Sequence, residues 1–498
     1  MEQPTSWVNY TLSKELIHSQ VNEHTAVYHR LLGGLSLLDE ASMGILMSFQ
    51  SGRSIPKSLL TKESNDRTEE LIQQLALRKL IVPSSEVTQT SLEGSQEKKT
   101  DLVTVIQLVM ANACNFGCTY CFEGVQGQEL SVEDTMNSLD ESRIIARESI
   151  KIDINDSMYA SEERFAHQFD PKNRHMKAKS GISYVEDALQ IVKASGSLNA
   201  MIQFFGGEPL LNWKTINEVL KRFGHEYDGI ALQYSTVTNG SLITDEVAKT
   251  FSEYNVAVCV SVDSPNSPNR PLKNGEPSMP TVMEGLLMLQ KYNNRVALNS
   301  ALTSSTWDDF DYSIVDLAVE VGATEIGVVV DFDPTFYTKY GTERIVERLW
   351  SVIEYGRTQG IILTGYWHQI FQVMLGFDAV SYRGFKNCSA KGAQLSIEPN
   401  GSVFSCKAGS TILGNISERT DLLTSQNYQN HNDLRRNNPS FCNGCEIEGF
   451  CAGLCLGSLE KKFDSIDAVE PATCDFYREI TKKHIQSLQP YELATFEL

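Results

Sequence analysis

The chain has 498 residues, 41% of them hydrophobic, and a formal net charge of −20 at pH 7. That length exceeds one ordinary domain and allows two or three. The acidic balance excludes a polyanion such as nucleic acid as the main partner, because phosphate recognition draws on Lys and Arg. No apolar run reaches the roughly eighteen residues of a membrane span, and the start, MEQPTSWVNY, lacks the basic-then-apolar build of a signal peptide. A cytoplasmic location is expected, where eleven cysteines serve metal ligation or redox chemistry sooner than disulfides.

In chain order, HTAVYHRLLGGLSLLDEASMGILMSF predicts a short strand pair across a glycine turn and then an apolar helix, and TEELIQQLALRKLIVPS predicts a helix ending in a strand. A compact winged-helix-like module is expected over 1–98, closed by the polar linker SSEVTQTSLEGSQEKKT. DLVTVIQLVM then reads as a buried strand that delivers the loop ANACNFGCTYCFEG, with Cys114, Cys118 and Cys121 at gaps of three and two. Four ligands would close a tetrahedral zinc site or complete a cubane iron-sulfur cluster, and the fourth is missing here. A polar, acid-rich stretch over about 125–173 follows. So long a segment inside a compact domain suggests a lid, a substrate-binding element or a mobile loop, with solvated decoration as the alternative.

A strand-then-helix rhythm comes next. Candidate strands lie at 201–205, 230–238, 256–263, 295–303 and 325–333, and TDEVAKTFSEYN between them opens on a capping Thr. With the strand at 103–110 these make six β/α units, an α/β fold whose parallel sheet curves into a partial (β/α)6 barrel over 100–375. The strand ends FFGGEPLLNW, TVTNGS and VSVDSP converge on one mouth. Cys259, mid-strand, is assigned to packing, and His368 in GYWHQIF to packing or the surface, rather than to the site.

After Cys259 seven cysteines gather near the C-terminus: Cys388, Cys406, Cys442, Cys445, Cys451, Cys455 and Cys474. The run CNGCEIEGFCAGLC has C-x2-C-x5-C-x3-C spacing, a strong signal for a second metal region over 380–478, and 479–498 reads as a tail.

Together these features resemble the radical S-adenosylmethionine (SAM) enzymes, on Cys114, Cys118, Tyr120 and Cys121, on GGEP at 206–209 and on VSVD at 260–263. The seven-cysteine pattern, with Gly401-x4-Cys406, resembles a SPASM domain. The resemblance implies a 4Fe-4S cluster whose open iron binds SAM, cleaved to a 5'-deoxyadenosyl radical, and two auxiliary 4Fe-4S clusters. It places Gly206, Gly207 and Glu208 at the methionine part of SAM, Tyr120 at the adenine and Ser261 and Asp263 at the ribose, with Thr238, Asn239 and Asn299 lining the same mouth. Asp263 is normally followed by glycine in relatives and here by Ser264. Cys442, Cys445, Cys451 and Cys474 would hold the outer auxiliary cluster. Cys388, Cys406 and Cys455 would hold the inner one, which is a thiolate short and takes an open iron, a non-cysteine ligand or a substrate atom.

In peptide-modifying relatives the first hundred residues hold a PqqD-like element that captures the leader of a precursor peptide as an added strand. Sulfatase-maturing relatives carry an Asp as base directly after the cysteine at 406, where this chain has Lys407. The expected activity is therefore maturation of a ribosomally made peptide (RiPP) by a carbon-carbon or thioether cross-link, with an electron donor such as flavodoxin or ferredoxin. Sulfatase maturation, peptide epimerisation and, outside enzymes, a zinc-binding scaffold are the alternatives.

Overall fold

The computed structural model describes residues 6–61, 66–86, 102–121, 173–376, 389–390, 392–433, 439–451, 455, 457, 459 and 468–488. The expected linker tail, the polar stretch after Cys121 up to residue 172, and Cys388 lie outside them.

The first module is built from strands β1 (Trp7–Leu12), β2 (Leu16–Val21), β3 (His24–His29) and β4 (Gly33–Leu38), helix α1 (Glu40–Met47), β5 (Arg53–Pro56), helix α2 (Arg67–Leu77) and β6 (Ile81–Pro83). β2, β3 and β4 form an antiparallel meander, and β1 sits between β5 and β6 in a second antiparallel sheet. The expected strand pair, the two helices and the strand after the second helix are present, and three further strands accompany them. Each helix starts on an aspartate whose carboxylate accepts backbone N–H groups: Asp39 from Ser42, and Asp66 from Thr68 and Glu69. Successive residues of β3 point to opposite faces. Val27 packs with Leu46, Phe49, Ile72 and Leu75 of the module itself, whereas Ala26 and Tyr28 join the core of the rest of the chain. The module is thus half of a two-sided packing arrangement.

The large sheet begins at β7 (Val105–Ala111) and continues through β8 (Asn199–Gly206), the two-residue β9 (Glu226–Tyr227), β10 (Ile230–Thr238), β11 (Ala257–Ser261), β12 (Val296–Leu302), β13 (Glu325–Val330) and β14 (Ile362–Thr364). Except for β9, which pairs antiparallel with β10, these strands run parallel, in the order β14-β13-β12-β11-β10-β8-β7. All six expected strands form, and helices α3 (Ala178–Ala194), α4 (Trp213–Phe223), α5 (Asp245–Glu253), α6 (Met279–Lys291), α7 (Ser313–Val321), α8 (Pro334–Tyr340), α9 (Thr342–Thr358) and α10 (Tyr366–Leu375) occupy the intervals. β10 alternates buried with less buried residues along its length, and the helices bury one apolar stripe each, such as Val247, Ala248 and Phe251 on α5. Thr244 caps α5 through the N–H of Val247.

The sheet does not stop at β7. β15 (Gln394–Ile397) adds parallel to β7 on its other side and leads into β16 (Ser402–Phe404) and β17 (Ile412–Asn415), paired antiparallel. The cysteine-rich region is therefore hydrogen-bonded into the barrel sheet at its base. Helices α11 (Gln426–Asp433), α12 (Pro439–Cys442) and α13 (Pro471–Gln486) complete it. The expected tail boundary at 479 falls inside α13, because Ile480, Thr481, His484 and Ile485 are buried and keep the helix docked. No helix among the described residues is long and apolar enough to cross a membrane.

Candidate active site

Four neighbouring strands, β7, β8, β10 and β11, deliver their C-terminal ends to one place, the position where parallel α/β sheets collect chemistry. The cysteine loop leaves β7 and is held at both edges. Gly117 N–H donates to Pro271 O at 2.8 Å, Thr119 N–H to Asn269 O at 3.0 Å, and Lys273 N–H to Asn115 O at 3.1 Å, so residues 269–273 line the loop like a strand. On the other side Asn112 N–H donates to Arg174 O at 2.8 Å, and Gly207 N–H and Glu208 N–H donate to Ala111 O and Ala113 O, both at 2.8 Å. Cys114 is buried, Cys118 and Cys121 half-buried. Burial raises the Cys114 thiol, and the neighbouring Cys118, Glu208 and Cys121 push it further the same way, which puts the three thiols and the carboxylate in one electrostatic environment.

Gly206 is required by close approach. Its φ is 139°, and a Cβ there would stand 2.3 Å from Ala111 O. Glu208 is fully buried. Its Oε1 accepts from Thr238 Oγ1 at 2.7 Å and from Leu210 N at 3.0 Å, and its Oε2 from Asn239 N at 2.7 Å. Burial pushes its carboxyl up to about 7, against the pull of those hydrogen bonds. Thr238 and Asn239, expected to line the mouth, spend these groups on Glu208. The Asn239 amide also donates to Asn115 Oδ1 at 2.8 Å and faces Cys114 Sγ at 3.8 Å. Ser261 and Asn299 are register partners on β11 and β12, and Asn299 O accepts from Val262 N–H at 2.9 Å.

Tyr120 and Asp263 come together although 143 residues separate them: the Tyr120 hydroxyl donates to Asp263 Oδ2. Asp263 Oδ1 accepts from Ala301 N–H at 3.1 Å. Burial raises the Asp263 carboxyl, while Arg270 and Tyr120 oppose that shift. The serine after Asp263 does not itself take a positive φ. Among the described residues the positive φ in this turn falls on Ser267, at 39°, and the Ser264 and Ser267 hydroxyls close the turn by mutual bonds to each other's backbone N–H groups at 3.0 and 3.2 Å.

Arg270 was not legible as a site residue. Its Nη1 donates to Tyr120 Oη at 3.1 Å, its charge is felt at Cys118, and its buried Nε has no hydrogen-bond partner among the described residues. Asn115 was also missed, and Lys407 was noted only for the Asp it replaces. Their signal lies in partners distant in sequence: Asn115 donates to Ser241 Oγ at 2.9 Å, and Lys407 Nζ to Asn112 Oδ1 at 2.6 Å.

In the C-terminal region Cys442, Cys445, Cys451 and Cys474 share one neighbourhood. The Cys474 thiol is pushed up to about 12 by burial first, then by Cys451, Cys442 and Cys445, with Arg478 opposing. Gly457, two residues after Cys455, lies against the turn that follows Cys406: a Cβ on Gly457 would stand 2.4 Å from Ala408 O. Among the described residues no three His, Cys, Asp or Glu side chains converge on a single ion position. A cubane spreads its thiolates over separate irons, so its ligands are spaced more widely than those of one ion. Three thiols on one loop, a saturated buried carboxylate and an orphaned buried guanidinium nitrogen fit a 4Fe-4S cluster that carries SAM.

A parallel β/α sheet with a three-cysteine loop on its first strand, followed by a cysteine-rich extension, defines a radical SAM enzyme with an iron-sulfur region. The chain belongs to this superfamily: residues 108–314 match the model of the radical SAM superfamily, and residues 388–446 match the SPASM iron-sulfur cluster-binding domain. It is 32% identical over 468 residues to the radical SAM cyclopropyl synthase TigE of Paramaledivibacter caminithermalis, covering 92% of both chains. In fold it is similar to native anSMEcpe with bound AdoMet, at 17% identity and a TM-score of 0.55 over 79% of this chain and all of that one. SuiB of Streptococcus suis, solved bound to its precursor peptide SuiA, covers 93% of this chain and 99% of its own at 15% identity and a TM-score of 0.48.

Proposed function

We propose that the protein modifies a ribosomally made precursor peptide by forming a carbon-carbon bond within it, a cyclopropyl ring being the preferred product. The observation that carries this is the relationship over 92% of both chains to a cyclopropyl synthase, with the site residues described above in place. Carbon-carbon closure is favoured over the thioether on that ground.

Cys114, Cys118 and Cys121 would hold the first 4Fe-4S cluster, and Gly206, Gly207, Glu208, Tyr120, Ser261, Asp263, Asn299 and Arg270 would surround SAM. Cys442, Cys445, Cys451 and Cys474 would hold the outer auxiliary cluster, and Cys406 and Cys455, with Cys388, the inner one. When bound, the first cluster and SAM supply one-electron cleavage and hydrogen-atom abstraction from carbon. The chain's own residues do the positioning. Asp263 fixes the Tyr120 hydroxyl, Arg270 holds that hydroxyl from the other side, and Thr238 and Asn239 lock Glu208. Asn115, 3% exposed, helps keep water from Cys114. Closing a ring within a peptide removes two hydrogens, one abstracted at carbon and one lost as a proton with its electron, and an auxiliary cluster held by Cys442, Cys445, Cys451 and Cys474 would supply the acceptor for that electron.

The first module supports a peptide partner. It carries an antiparallel meander in which β2 is an edge strand, paired among the described residues with β3 only, and an edge strand can take up an extended leader. A winged-helix, PqqD-like assignment, a flavodoxin- or ferredoxin-type donor and a cytoplasmic setting belong to the same reading. Sulfatase maturation is disfavoured because Lys407, in place of the expected Asp, is 3% exposed and already paired with Glu398 and Asn112.

The test is co-expression with the short peptide encoded beside the gene and mass spectrometry of that peptide. Loss of two hydrogens per event, with no cysteine consumed, supports the assignment. An unchanged mass refutes it, and a product whose thiol no longer alkylates would establish the thioether instead.

A further inference from the structure

The first module and the loop bearing Cys442, Cys445 and Cys451 meet through three separate contacts. Arg30, at the end of β3, forms ion pairs with Glu15 through Nε and with Glu448 through Nη1, and the three side chains are only 9%, 2% and 6% exposed. Glu448 Oε2 also accepts from Gly444 N–H at 3.1 Å, inside the same cysteine loop. Next to this, Gly449 N–H donates to Arg30 O at 3.1 Å, and the backbones lie so close that a Cβ on Gly449 would stand 2.3 Å from Leu31 O. Third, the Tyr28 ring meets Phe450 edge-on with centroids 6.2 Å apart. Tyr28 also lies near Cys445, whose thiol and Glu446 add to burial in raising the phenol.

A buried guanidinium bridging two carboxylates is tolerated only where geometry holds all three, and removing the cation leaves two like charges facing each other out of water. Here that geometry ties a residue of the first module to Glu448, three residues after Cys445 and three before Cys451. The face of β3 that makes the contact, Ala26 and Tyr28, belongs to the core shared with Ile447 and Phe450, not to the module's own core. The cysteine loop is short of regular structure of its own, so its shape depends on what it is pressed against.

We propose that the first module is a structural wall of the outer auxiliary-cluster site, with Arg30 as the positioning residue that fixes the Cys442–Cys451 loop through Glu448. This rests on the three-cluster assignment made above. The first module then has two tasks on two faces: an edge strand for the peptide and a buried face that shapes a redox centre.

The experiment compares the full chain with Arg30→Met and Gly449→Ala, all purified and reconstituted anaerobically. Readouts are iron content, electron paramagnetic resonance of the reduced clusters, and release of 5'-deoxyadenosine from SAM without peptide. The wild type is expected to hold roughly twelve irons, about four per cubane. Both variants are expected to lose or shift the signal of the outer cluster, while 5'-deoxyadenosine release stays within about twofold of wild type, because the SAM-binding loop is untouched. If Arg30→Met gives no soluble protein, Gly449→Ala, which perturbs the same contact from the other side, decides. Signals and midpoint potentials identical to wild type in the variants would overturn the proposal alone. A wild type that reconstitutes with only about four irons would overturn the three-cluster assignment and the proposal with it.

Discussion

Lys407 is the residue whose replacement tests the architecture most sharply. Its ammonium sits with Glu398 Oε1 at 3.4 Å, both side chains 2% exposed, and donates to Asn112 Oδ1 at 2.6 Å. The Asn112 amide in turn donates to Glu398 Oε2 at 2.9 Å, and Lys407 N–H to Gln107 Oε1 at 2.9 Å. The triad joins β7, two residues before Cys114, to the residue after Cys406. Lys407→Met keeps the volume but takes the cation away from a buried carboxylate. Breaking one side of such a pair costs about 3–5 kcal/mol. At roughly 2–4 °C per kcal/mol for a barrel-sized domain, the melting midpoint should fall by about 6–20 °C. The double variant Lys407→Met with Glu398→Gln removes both charges and leaves an amide that Asn112 can still bond, so most of the loss should be recovered, a coupling of at least about 2 kcal/mol. Thermal unfolding of anaerobically purified protein, followed by circular dichroism, reads both. A single variant melting within about 2 °C of wild type, or a double variant no better than the single, would refute the buried ion pair as described.

Three further outcomes follow from the geometry. Cys114→Ala removes one of the three thiols on the loop and should abolish 5'-deoxyadenosine release while the C-terminal iron is retained, as measured by chromatography and iron analysis. Gly206→Ala forces a Cβ toward Ala111 O, now 2.3 Å from where it would stand, so the end of β7 must shift; a misplacement near 1 Å should lower 5'-deoxyadenosine formation roughly a hundredfold at unchanged expression. His484, stacked on Trp367 and Phe371, has its pKa lowered by burial from 6.5 to about 3. The unfolded chain therefore binds the extra proton first. This contribution to stability is complete above pH 6.5 and is lost as pH falls toward 3, at up to about 1.4 kcal/mol per unit. His484→Phe should flatten denaturation midpoints across that window, leaving the smaller share of His368, which burial also lowers.

The parallel core was legible because its strands are continuous β-branched and apolar runs bounded by polar, glycine-rich ends, and the cysteine spacings spoke for themselves. What escaped was set by distant pairing. QLSI at Gln394–Ile397 is four residues among cysteines, and only the edge of β7 makes it a strand. Arg270 belongs to no motif, and only the pairing of 269–273 with the cysteine loop brings it to Tyr120. Thr238 and Asn239 are expected at the mouth from their strand end, and their hydrogen bonds go to Glu208, which spacing alone does not show. Lys407 was noted for the Asp it replaces, whereas its partner Asn112 lies on the far side of the fold in sequence. The alternating faces of β3 were readable as strand, and which neighbour each face meets was not.

The central claim is hydrogen abstraction from a peptide carbon at the mouth formed by Cys114, Glu208, Tyr120 and Asp263. The direct measurement is the isotopic mass of 5'-deoxyadenosine after turnover with the precursor peptide deuterated on the side chain that is modified. One deuterium carried into 5'-deoxyadenosine, in step with ring closure, is the predicted result. Ring-closed peptide accompanied by unlabelled 5'-deoxyadenosine, at every labelled position, would contradict it.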